Sequence, residues 1–364
     1  MSARVCFVVG ARPNFMKSAP VYRELAARDP SLELTLVHTG QHYDELMSDV
    51  FFAELDLPEP DEFLGVGAGT HAEQTAKALV GVERVLRARE IDLCVVAGDV
   101  NSTLAAALAA VKAGVKLAHI ESGLRSFDRT MPEEHNRKLT DHLSDVLLVH
   151  SEEGVQNLSR EGVDPGLVHL VGNTMIDSVL EHLEPARARK PWERFGVEPG
   201  AFGLVTLHRP ALVDDPERLA AVTAGLVALS REFPLVFPVH PRTQAHLEGS
   251  GDDRTLREAG VHVSPPLGYL DFLGLEAEAR FVATDSGGVQ EETSFLGVRC
   301  FTFRDSNERL VTEELGTNTR LGAKPERLAE IPELLQRPKP GDVIPGWDGA
   351  AGGRAAEVLR RALG

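Results

Sequence analysis

Short apolar runs that alternate with helical stretches constrain the fold of this chain more than any other feature of its sequence. In the first half the runs cover residues 5–9, 34–38, 93–97, 116–120, 146–149 and 168–171. Helical stretches such as 15–28, 70–89 and 103–113 separate them. Runs that are apolar almost throughout are typical of strands buried on both faces. The alternation therefore predicts a parallel sheet covered by helices.

A second series of apolar runs follows a stretch rich in Pro, Arg and Glu at residues 184–200. Its members are residues 204–207, 235–239, 261–263, 281–284 and 300–303. With 364 residues, of which 43% are hydrophobic, the chain is large enough for two cores. We predict two doubly wound, Rossmann-like α/β domains, at residues 1–172 and 173–353. A last helix at 354–364 is expected to cross back onto the first domain.

Composition limits the partners of the chain. A net charge of -17 disfavours nucleic acid and anionic membranes, whereas a small polyanion can still bind where cations and helix N-termini gather. We expect no secretory leader, because the N-terminal residues show no charged-then-apolar pattern, and no apolar run approaches the ~20 residues of a spanning helix. Cys6, Cys94 and Cys300 lie singly in apolar runs, which predicts buried free thiols and no metal site. We expect a cytoplasmic protein without nucleic-acid or membrane partners.

Acidic residues lie on both sides of one loop in residues 119–137, HIESGLRSFDRTMPEEHNR. Glu121 ends a strand, and Glu133 lies in the first turn of the next helix. Loops at the carboxyl ends of parallel strands line the ligand site, so both acids are expected to reach one bound molecule, with Arg125 orienting them. The alternative is an ordinary solvated helix start with a Glu133–Arg137 pair.

Two turns favour a phosphate ligand. Residues 285–288, Asp-Ser-Gly-Gly, follow a strand and open a helix, so free backbone N–H groups and the helix dipole meet at one point. Glu292 in that helix is expected to reach a sugar hydroxyl. The alternative is a tight turn in which Ser286 only caps the helix. In the first domain, Arg12 and Lys17 follow the first strand and can neutralise a diphosphate.

Cofactor motifs are missing from this sequence. No Gly-x-Gly-x-x-Gly follows the first strand, and the cluster Gly65, Gly67 and Gly69 has no convincing strand before it. No Gly-Lys-Ser or Gly-Lys-Thr occurs either. We therefore expect neither NAD nor ATP as a cofactor.

Four elements, taken in order and spacing, resemble the non-hydrolysing UDP-N-acetylglucosamine 2-epimerases. They are GARPNFMK at 10–17, AGD at 97–99, HIESGLR with MPEEHNR at 119–125 and 131–137, and LHRP at 207–210 ahead of DSGGVQEE at 285–292. The resemblance spans roughly residues 5–320. It implies the two-domain fold of one class of nucleotide-sugar glycosyltransferases, with a UDP-sugar in the central cleft. It also implies a homodimer and no cofactor or metal.

The resemblance transfers roles to matching positions. The implied catalytic residues are Asp99, Glu121, Glu133 and His208. The predicted substrate-binding residues are Arg12, Lys17, Arg125, His240, Ser286, Gly287, Gly288, Glu292 and Arg309. Three departures from the family pattern affect sugar contacts and regulation: Asn14 replaces an acid, Ala211-Leu212 replaces a polar pair, and Tyr43-Asp44 alter a pocket that begins at Gln41-His42 and binds an activator.

The implied chemistry is inversion at C2 without an oxidising cofactor. Family members eliminate UDP to give a 2-acetamidoglucal and then add it back on the opposite face, which requires proton exchange on both faces of C2. Glu133 suits a base, and His208 suits a proton donor to the leaving phosphate. Alternatives are a hydrolysing epimerase, an epimerase of a 3-acetamido or uronic-acid UDP-sugar, a glycosyltransferase of the same fold, and a nucleotide-sugar sensor.

Overall fold

The structure is a computed structural model that describes residues 2–41 and 57–364. The chain divides into two compact units. Unit 1 comprises Met1–Leu180 with Pro345–Gly364, and unit 2 comprises Glu181–Ile344. The sequence places the domain boundaries after residues 172 and 353, whereas the units change over after Leu180 and Ile344. The first changeover falls inside a helix.

Unit 1 is built on a parallel sheet. Its described strands are β1 (Arg4–Val9), β2 (Glu33–His38), β3 (Glu62–Phe63), β4 (Leu93–Ala97), β5 (Lys116–Ser122), β6 (Val146–Val149) and β7 (Val168–Leu170). Within the described residues they form one seven-stranded sheet in the order β3-β2-β1-β4-β5-β6-β7. Its helices are α1 (Arg12–Arg28), α2 (His71–Ala88), α3 (Asn101–Ala113), α4 (Pro132–Leu143), α5 (Glu152–Arg160) and α6 (Thr174–Ala188), which runs on into unit 2.

Unit 2 repeats this plan. Its strands are β8 (Gly203–Thr206), β9 (Leu235–Pro238), β10 (His262–Ser264), β11 (Phe281–Thr284), β12 (Arg299–Thr302) and β13 (Asn318–Arg320). They form a six-stranded parallel sheet in the order β10-β9-β8-β11-β12-β13. The helices are α7 (Pro210–Val213), α8 (Pro216–Leu229), α9 (Pro241–Ser250), α10 (Asp252–Glu258), α11 (Tyr269–Glu278), α12 (Gly287–Leu296), α13 (Val311–Glu314) and α14 (Ile331–Leu334). The predicted pair of parallel α/β domains is confirmed.

The strand order reverses once in each sheet. In unit 1 the reversal lies between β1 and β4, and in unit 2 between β8 and β11. Loops after the strands at such a switch point diverge to opposite faces and leave a crevice for ligands. Each unit therefore offers one preferred place for a site, and the motifs of the sequence follow these strands.

The C-terminal helix α15 (Ala351–Leu363) belongs to unit 1 and packs on α1. Contact is close, because a Cβ built on Gly352 would lie 2.9 Å from Pro20 Cβ. Asp177 of α6 caps the start of α15 by accepting hydrogen bonds from Gly352 N at 2.6 Å and Ala351 N at 3.2 Å. The tail is thereby fixed to the first unit.

The cores hold the three cysteines as buried free thiols, which confirms that prediction. Burial raises the pKa of the Cys94 and Cys300 thiols to about 12, so both stay protonated. Among the described helices, none has the length and apolar character needed to cross a membrane.

Candidate functional site

Glu121 lies at the end of β5 with a backbone conformation that residues other than glycine rarely adopt. Its φ is +66°, and the pairing of β5 with β6 shifts register between Ile120 and Ser122. Such a bulge redirects a side chain, and a left-handed conformation costs roughly 1–3 kcal/mol. The Glu121 carboxylate accepts a hydrogen bond from Lys17 Nζ. Both side chains are only 6% exposed, so the two form a buried ion pair.

The Lys17–Glu121 pair lies beside the loop that follows β4. A Cβ built on Gly98 would lie 3.2 Å from Lys17 Nζ and 3.4 Å from Glu121 Oε2. Asp99, the next residue, is partly exposed, and its carboxylate accepts a hydrogen bond from Arg137 Nη2. The switch point of unit 1 thus brings two of the predicted catalytic acids close to buried cations.

Two adjacent glutamates at the start of α4 have different surroundings. Glu134 is buried, and its carboxylate accepts from Ser126 N at 2.8 Å, Phe127 N at 3.3 Å and Arg137 Nη1 at 3.0 Å. Glu133 is half-buried, and within the described residues its carboxylate has no hydrogen bond or ion pair. In that same part of the chain no Glu133–Arg137 pair forms, because Arg137 binds Glu134. Glu134 fixes the loop, and Glu133 is left available for a ligand.

A buried network joins the loops after β4 and β5. His119 Nε2 lies 2.8 Å from Gly98 O, and His119 Nδ1 lies 2.7 Å from Asp141 Oδ1. Asp141 Oδ2 also accepts from Gly123 N at 3.1 Å and from Arg125 Nη1 at 2.7 Å. Burial alone would raise the pKa of Asp141, but its hydrogen bonds and charge contacts with His119 and Arg125 outweigh burial and lower it. This carboxylate therefore holds the framework around Glu121.

Arg125, predicted to bind substrate, has a completely buried side chain. Its Nε and Nη2 donate to the two oxygens of Glu161 at 2.8 and 2.7 Å. Its Nη1 donates to Asp141 and, at 2.6 Å, to Leu124 O. All three guanidinium nitrogens are thus used inside unit 1. We assign Arg125 a structural role and leave it out of the proposed substrate contacts.

Asn14 is also used internally. Its Oδ1 accepts from Gly10 N at 3.1 Å and Ala11 N at 3.0 Å, and its Nδ2 donates to Ala97 O at 2.7 Å. Asn14, which stands where many family members have an acid, therefore holds the loop between β1 and α1 against the end of β4.

Several residues with predicted roles are only partly covered by the described structure, or lie outside it. Arg12 is the first residue of α1, and its side chain lies outside the description, as do residues 42–44. Gln41 is buried, and its Oε1 accepts from Ser102 N at 2.9 Å and Ser102 Oγ at 2.7 Å.

In unit 2 the switch point brings His208 and Asp285 together. Asp285 is completely buried. Its carboxylate accepts from His208 N and Arg209 N, and His208 Nδ1 lies 2.9 Å from Asp285 Oδ1. Burial by itself would raise the pKa of Asp285, but the charge and hydrogen bond of His208 and the backbone N–H groups outweigh burial and lower it. Asp285 is therefore an ionised partner for the His208 ring.

The predicted phosphate turn opens α12. Ser286 is the N-cap residue of this helix and makes no side-chain cap, so the first N–H groups of α12 point out of the helix end. A Cβ on Gly287 would lie 2.5 Å from Arg309 Nη1, which explains why glycine stands there. Arg309 is buried and pairs with Glu308 and, at 3.1 Å, with Glu291. The turn therefore combines a helix N-terminus with a nearby guanidinium.

The remaining predicted residues of unit 2 lie near this turn or near His208. Gly288 and Glu292 belong to the first turns of α12, where Glu292 is buried. His240 is the N-cap of α9, and its ring centroid lies 5.6 Å from that of His208. Two histidine rings, tilted by 35° to one another, thus lie together at the carboxyl edge of the sheet.

Sequence reasoning missed four residues that shape these sites: Asp141, Glu134, Asp285 and His119. Asp285 and His119 stood inside quoted motifs but were given no role, because their partners lie 77 and 22 residues away. Within the described residues, no group of His, Cys, Asp and Glu is arranged to hold a metal ion.

Comparison with known proteins gives one consistent family. The family model described as UDP-N-acetylglucosamine 2-epimerase matches residues 24–360. UDP-N-acetylglucosamine 2-epimerase of Methanocaldococcus jannaschii is 40% identical over 362 residues, which is 98% of each chain. UDP-2,3-diacetamido-2,3-dideoxy-D-glucuronate 2-epimerase of Pseudomonas aeruginosa is 39% identical over 330 residues, which is 90% of each chain.

The fold is similar to solved structures as well. The crystal structure of M. jannaschii UDP-GlcNAc 2-epimerase in complex with UDP-GlcNAc and UDP gives a TM-score of 0.91 at 39% identity. The match covers 98% of this chain and 99% of the other.

Proposed function

Because the chain belongs to the UDP-N-acetylglucosamine 2-epimerase family, we propose that it interconverts UDP-N-acetylglucosamine and UDP-N-acetylmannosamine. The reaction is a reversible inversion at C2 that uses no cofactor and releases no free sugar. Full-length similarity to a relative of that name supports the substrate, and the arrangement of the acids supports the chemistry.

The observation that carries the proposal is the connected group of acids at the switch point of unit 1. Glu121 lies beside Gly98, and Asp99 follows Gly98 directly. Asp99 shares Arg137 with Glu134, the neighbour of Glu133. These contacts therefore connect Glu121 through Asp99 and Arg137 to Glu134, and Glu133 directly precedes Glu134 at the start of α4. Several carboxylates near one point are what proton exchange on two faces of a carbon requires.

The proposed reaction is an elimination of UDP followed by its re-addition. A carboxylate of unit 1 removes the C2 proton, the C–H electron pair forms the C1–C2 double bond, and the C1–O bond breaks with its electrons on the UDP phosphate. In the reverse step the phosphate oxygen of UDP re-forms the C1–O bond, and the electrons of the double bond take up a proton on the opposite face of C2. Glu133 and Glu121 are the proposed proton carriers, with Asp99 beside them.

Unit 2 supplies the proposed diphosphate contacts. The N-terminus of α12 at Ser286, Gly287 and Gly288 binds the phosphates, supported by Arg309, and Glu292 binds the ribose. His208 and His240 face the leaving group.

A proton NMR time course with UDP-N-acetylglucosamine in deuterated water tests the proposal. We expect an equilibrium mixture of the two UDP-sugars, deuterium at C2, and full activity with a chelator and without NAD. Stoichiometric free N-acetylmannosamine would instead assign the hydrolysing reaction. An inert mixture, with UDP binding intact by calorimetry, would point to a sensor or a transferase that lacks its acceptor.

A second substrate is supported by one comparison. The P. aeruginosa enzyme that acts on a diacetamido-glucuronate sugar is as similar, at 39% identity, as some relatives named for UDP-N-acetylglucosamine. Parallel assays with both UDP-sugars decide between them, since the preferred substrate is expected to show the higher kcat/KM.

We also propose a homodimer in the cytoplasm. Val80, Val111 and Leu139 are 65%, 42% and 52% exposed on α2, α3 and α4, which pack side by side. A second copy would cover these apolar side chains. Light scattering should find a dimer for the wild type. The double variant Val80→Glu, Val111→Glu should be a monomer, whereas the control variant Val343→Glu in unit 2 should remain a dimer. A monomeric wild type would contradict the dimer, and cell fractionation tests the location.

A further inference from the structure

The Asp285 carboxylate is saturated by donors from a single loop. Oδ2 accepts from His208 N at 2.9 Å and Arg209 N at 2.7 Å. Oδ1 accepts from His208 N at 3.1 Å and lies 2.9 Å from His208 Nδ1. The Asp285 carbonyl also accepts from Arg209 Nε at 3.0 Å. One residue thus holds both the backbone and the ring of His208.

This geometry decides where the ring carries its proton. An ionised carboxylate only accepts hydrogen bonds, so the proton in the contact belongs to His208 Nδ1. No described residue forms a hydrogen bond at Nε2, and the side chain is 35% exposed. Nε2 is therefore the nitrogen that can meet a ligand. Among the described residues, Arg209 on the same loop also bonds Asp285, and His240 at the start of α9 lies against the ring.

Asp285 also links His208 to the phosphate turn, because it directly precedes Ser286. The ring and the N-terminus of α12 are thereby held at a fixed separation. We propose, on the basis of the proposed function, that Asp285 is a positioning residue for elimination: it holds His208 so that Nε2 donates to the departing phosphate. The acid in this step is the doubly protonated ring, which carries one proton on each nitrogen. As the C1–O bond breaks, its electron pair moves to the phosphate oxygen, which receives the Nε2 proton and leaves a neutral ring. Nδ1 keeps its proton towards Asp285, and re-addition reverses the transfer.

Asp285→Asn tests this role with little change of shape. The amide oxygen can replace Oδ2 and accept from the two backbone N–H groups. The amide NH₂ then points at Nδ1, so the neutral ring is forced to carry its proton on Nε2. We expect kcat to fall by about 10²–10⁴-fold, the usual contribution of a positioned acid or base. KM and the UDP dissociation constant should stay within about threefold, because the phosphate turn is unchanged.

Nitrogen-15 NMR of labelled histidine measures the tautomer, with His208 assigned by its loss in His208→Gln. In the wild type the neutral ring should carry its proton on Nδ1, and in Asp285→Asn on Nε2. A neutral wild-type ring with its proton on Nε2 would overturn the proposal even if the variant fails to fold. So would an unchanged kcat, or a kcat loss matched by an equal loss of UDP affinity.

Asp271→Asn is the matched control in the same unit. Asp271 pairs with Arg189 and Arg194 on an exposed surface, so its loss should leave kcat, KM and the His208 tautomer unchanged. The tautomer and UDP measurements need no turnover. If the wild type proves inactive, the proposed function fails, while the positioning of His208 by Asp285 is still decided.

Discussion

Arg125→Met should destabilise unit 1 strongly and leave substrate binding unchanged. The substitution keeps most of the side-chain volume and removes the cation that bonds Asp141 and Glu161. Breaking a buried ion pair by removing one partner costs about 3–5 kcal/mol. Glu161 is 21% exposed and regains water, whereas Asp141 is fully buried and keeps only His119 and Gly123 N. We therefore expect the lower part of that range, about 3–4 kcal/mol.

This loss converts into a melting temperature. Unit 1 contains roughly 200 residues, a size at which 1 kcal/mol shifts the midpoint by about 2–4 °C. The expected decrease is about 6–16 °C. The two tryptophans of the chain lie in different units, Trp347 in unit 1 and Trp192 in unit 2. Fluorescence in a Trp192→Phe background therefore follows unit 1 through the buried Trp347.

The matched control is Arg28→Met. Arg28 pairs with Glu24 along α1, and the two side chains are 45% and 44% exposed. Loss of such a surface pair should cost about 0.5 kcal/mol or less. Kinetics measured well below the midpoint complete the test. A normal melting temperature together with a raised KM for Arg125→Met would refute the structural role and make Arg125 a substrate contact.

Three further predictions address other parts of the molecule. Burial raises the pKa of Asp177 from 3.8 to about 6, because it outweighs the hydrogen bonds that the carboxylate accepts from α15. The folded state therefore binds this proton more tightly than the unfolded state does. The stability that this proton contributes is lost as pH rises through about 6. Asp177→Asn should therefore gain about 1–2 kcal/mol over wild type between pH 4 and pH 7 in denaturant unfolding, and a gap independent of pH would contradict this. Glu133→Gln should cut turnover by about 10²-fold or more with a normal melting temperature, whereas Glu134→Gln should lower that temperature; the reverse pattern would exchange their roles. Gly287→Ala should weaken UDP binding at least about tenfold by calorimetry, because its Cβ displaces Arg309, and unchanged affinity would place the diphosphate elsewhere.

Sequence patterns predicted the sheets well because buried parallel strands are apolar throughout. The predicted runs at 93–97, 146–149 and 281–284 coincide with β4, β6 and β11 residue for residue. β3 and β13 escaped prediction, since they have two and three residues, Glu-Phe and Asn-Thr-Arg, and neither contains an apolar run. Local patterns found the equally short edge strands β7 and β10 because those lie in apolar runs, and they carry no signal for strands that lack one.

The candidate site was harder to predict where partners are distant in sequence. The sequence alone does not distinguish a charged residue that faces a ligand from one that pairs with a buried counter-ion. The partners of Arg125 lie 16 and 36 residues away. The left-handed backbone at Glu121 was equally invisible, because glutamate gives no sign of it. Motif order located the loops, and only packing distinguished Glu133 from Glu134.

The left-handed backbone at Glu121 lowers the stability of the folded chain, while the side chain at this position is the one that the proposed reaction needs. Glycine would adopt the same φ without a steric cost, and asparagine with a smaller one. A library selected only for heat resistance should therefore enrich glycine or asparagine at position 121, with loss of the carboxylate that the proposed reaction needs. Thermostabilisation of this protein accordingly calls for turnover to be screened together with melting temperature.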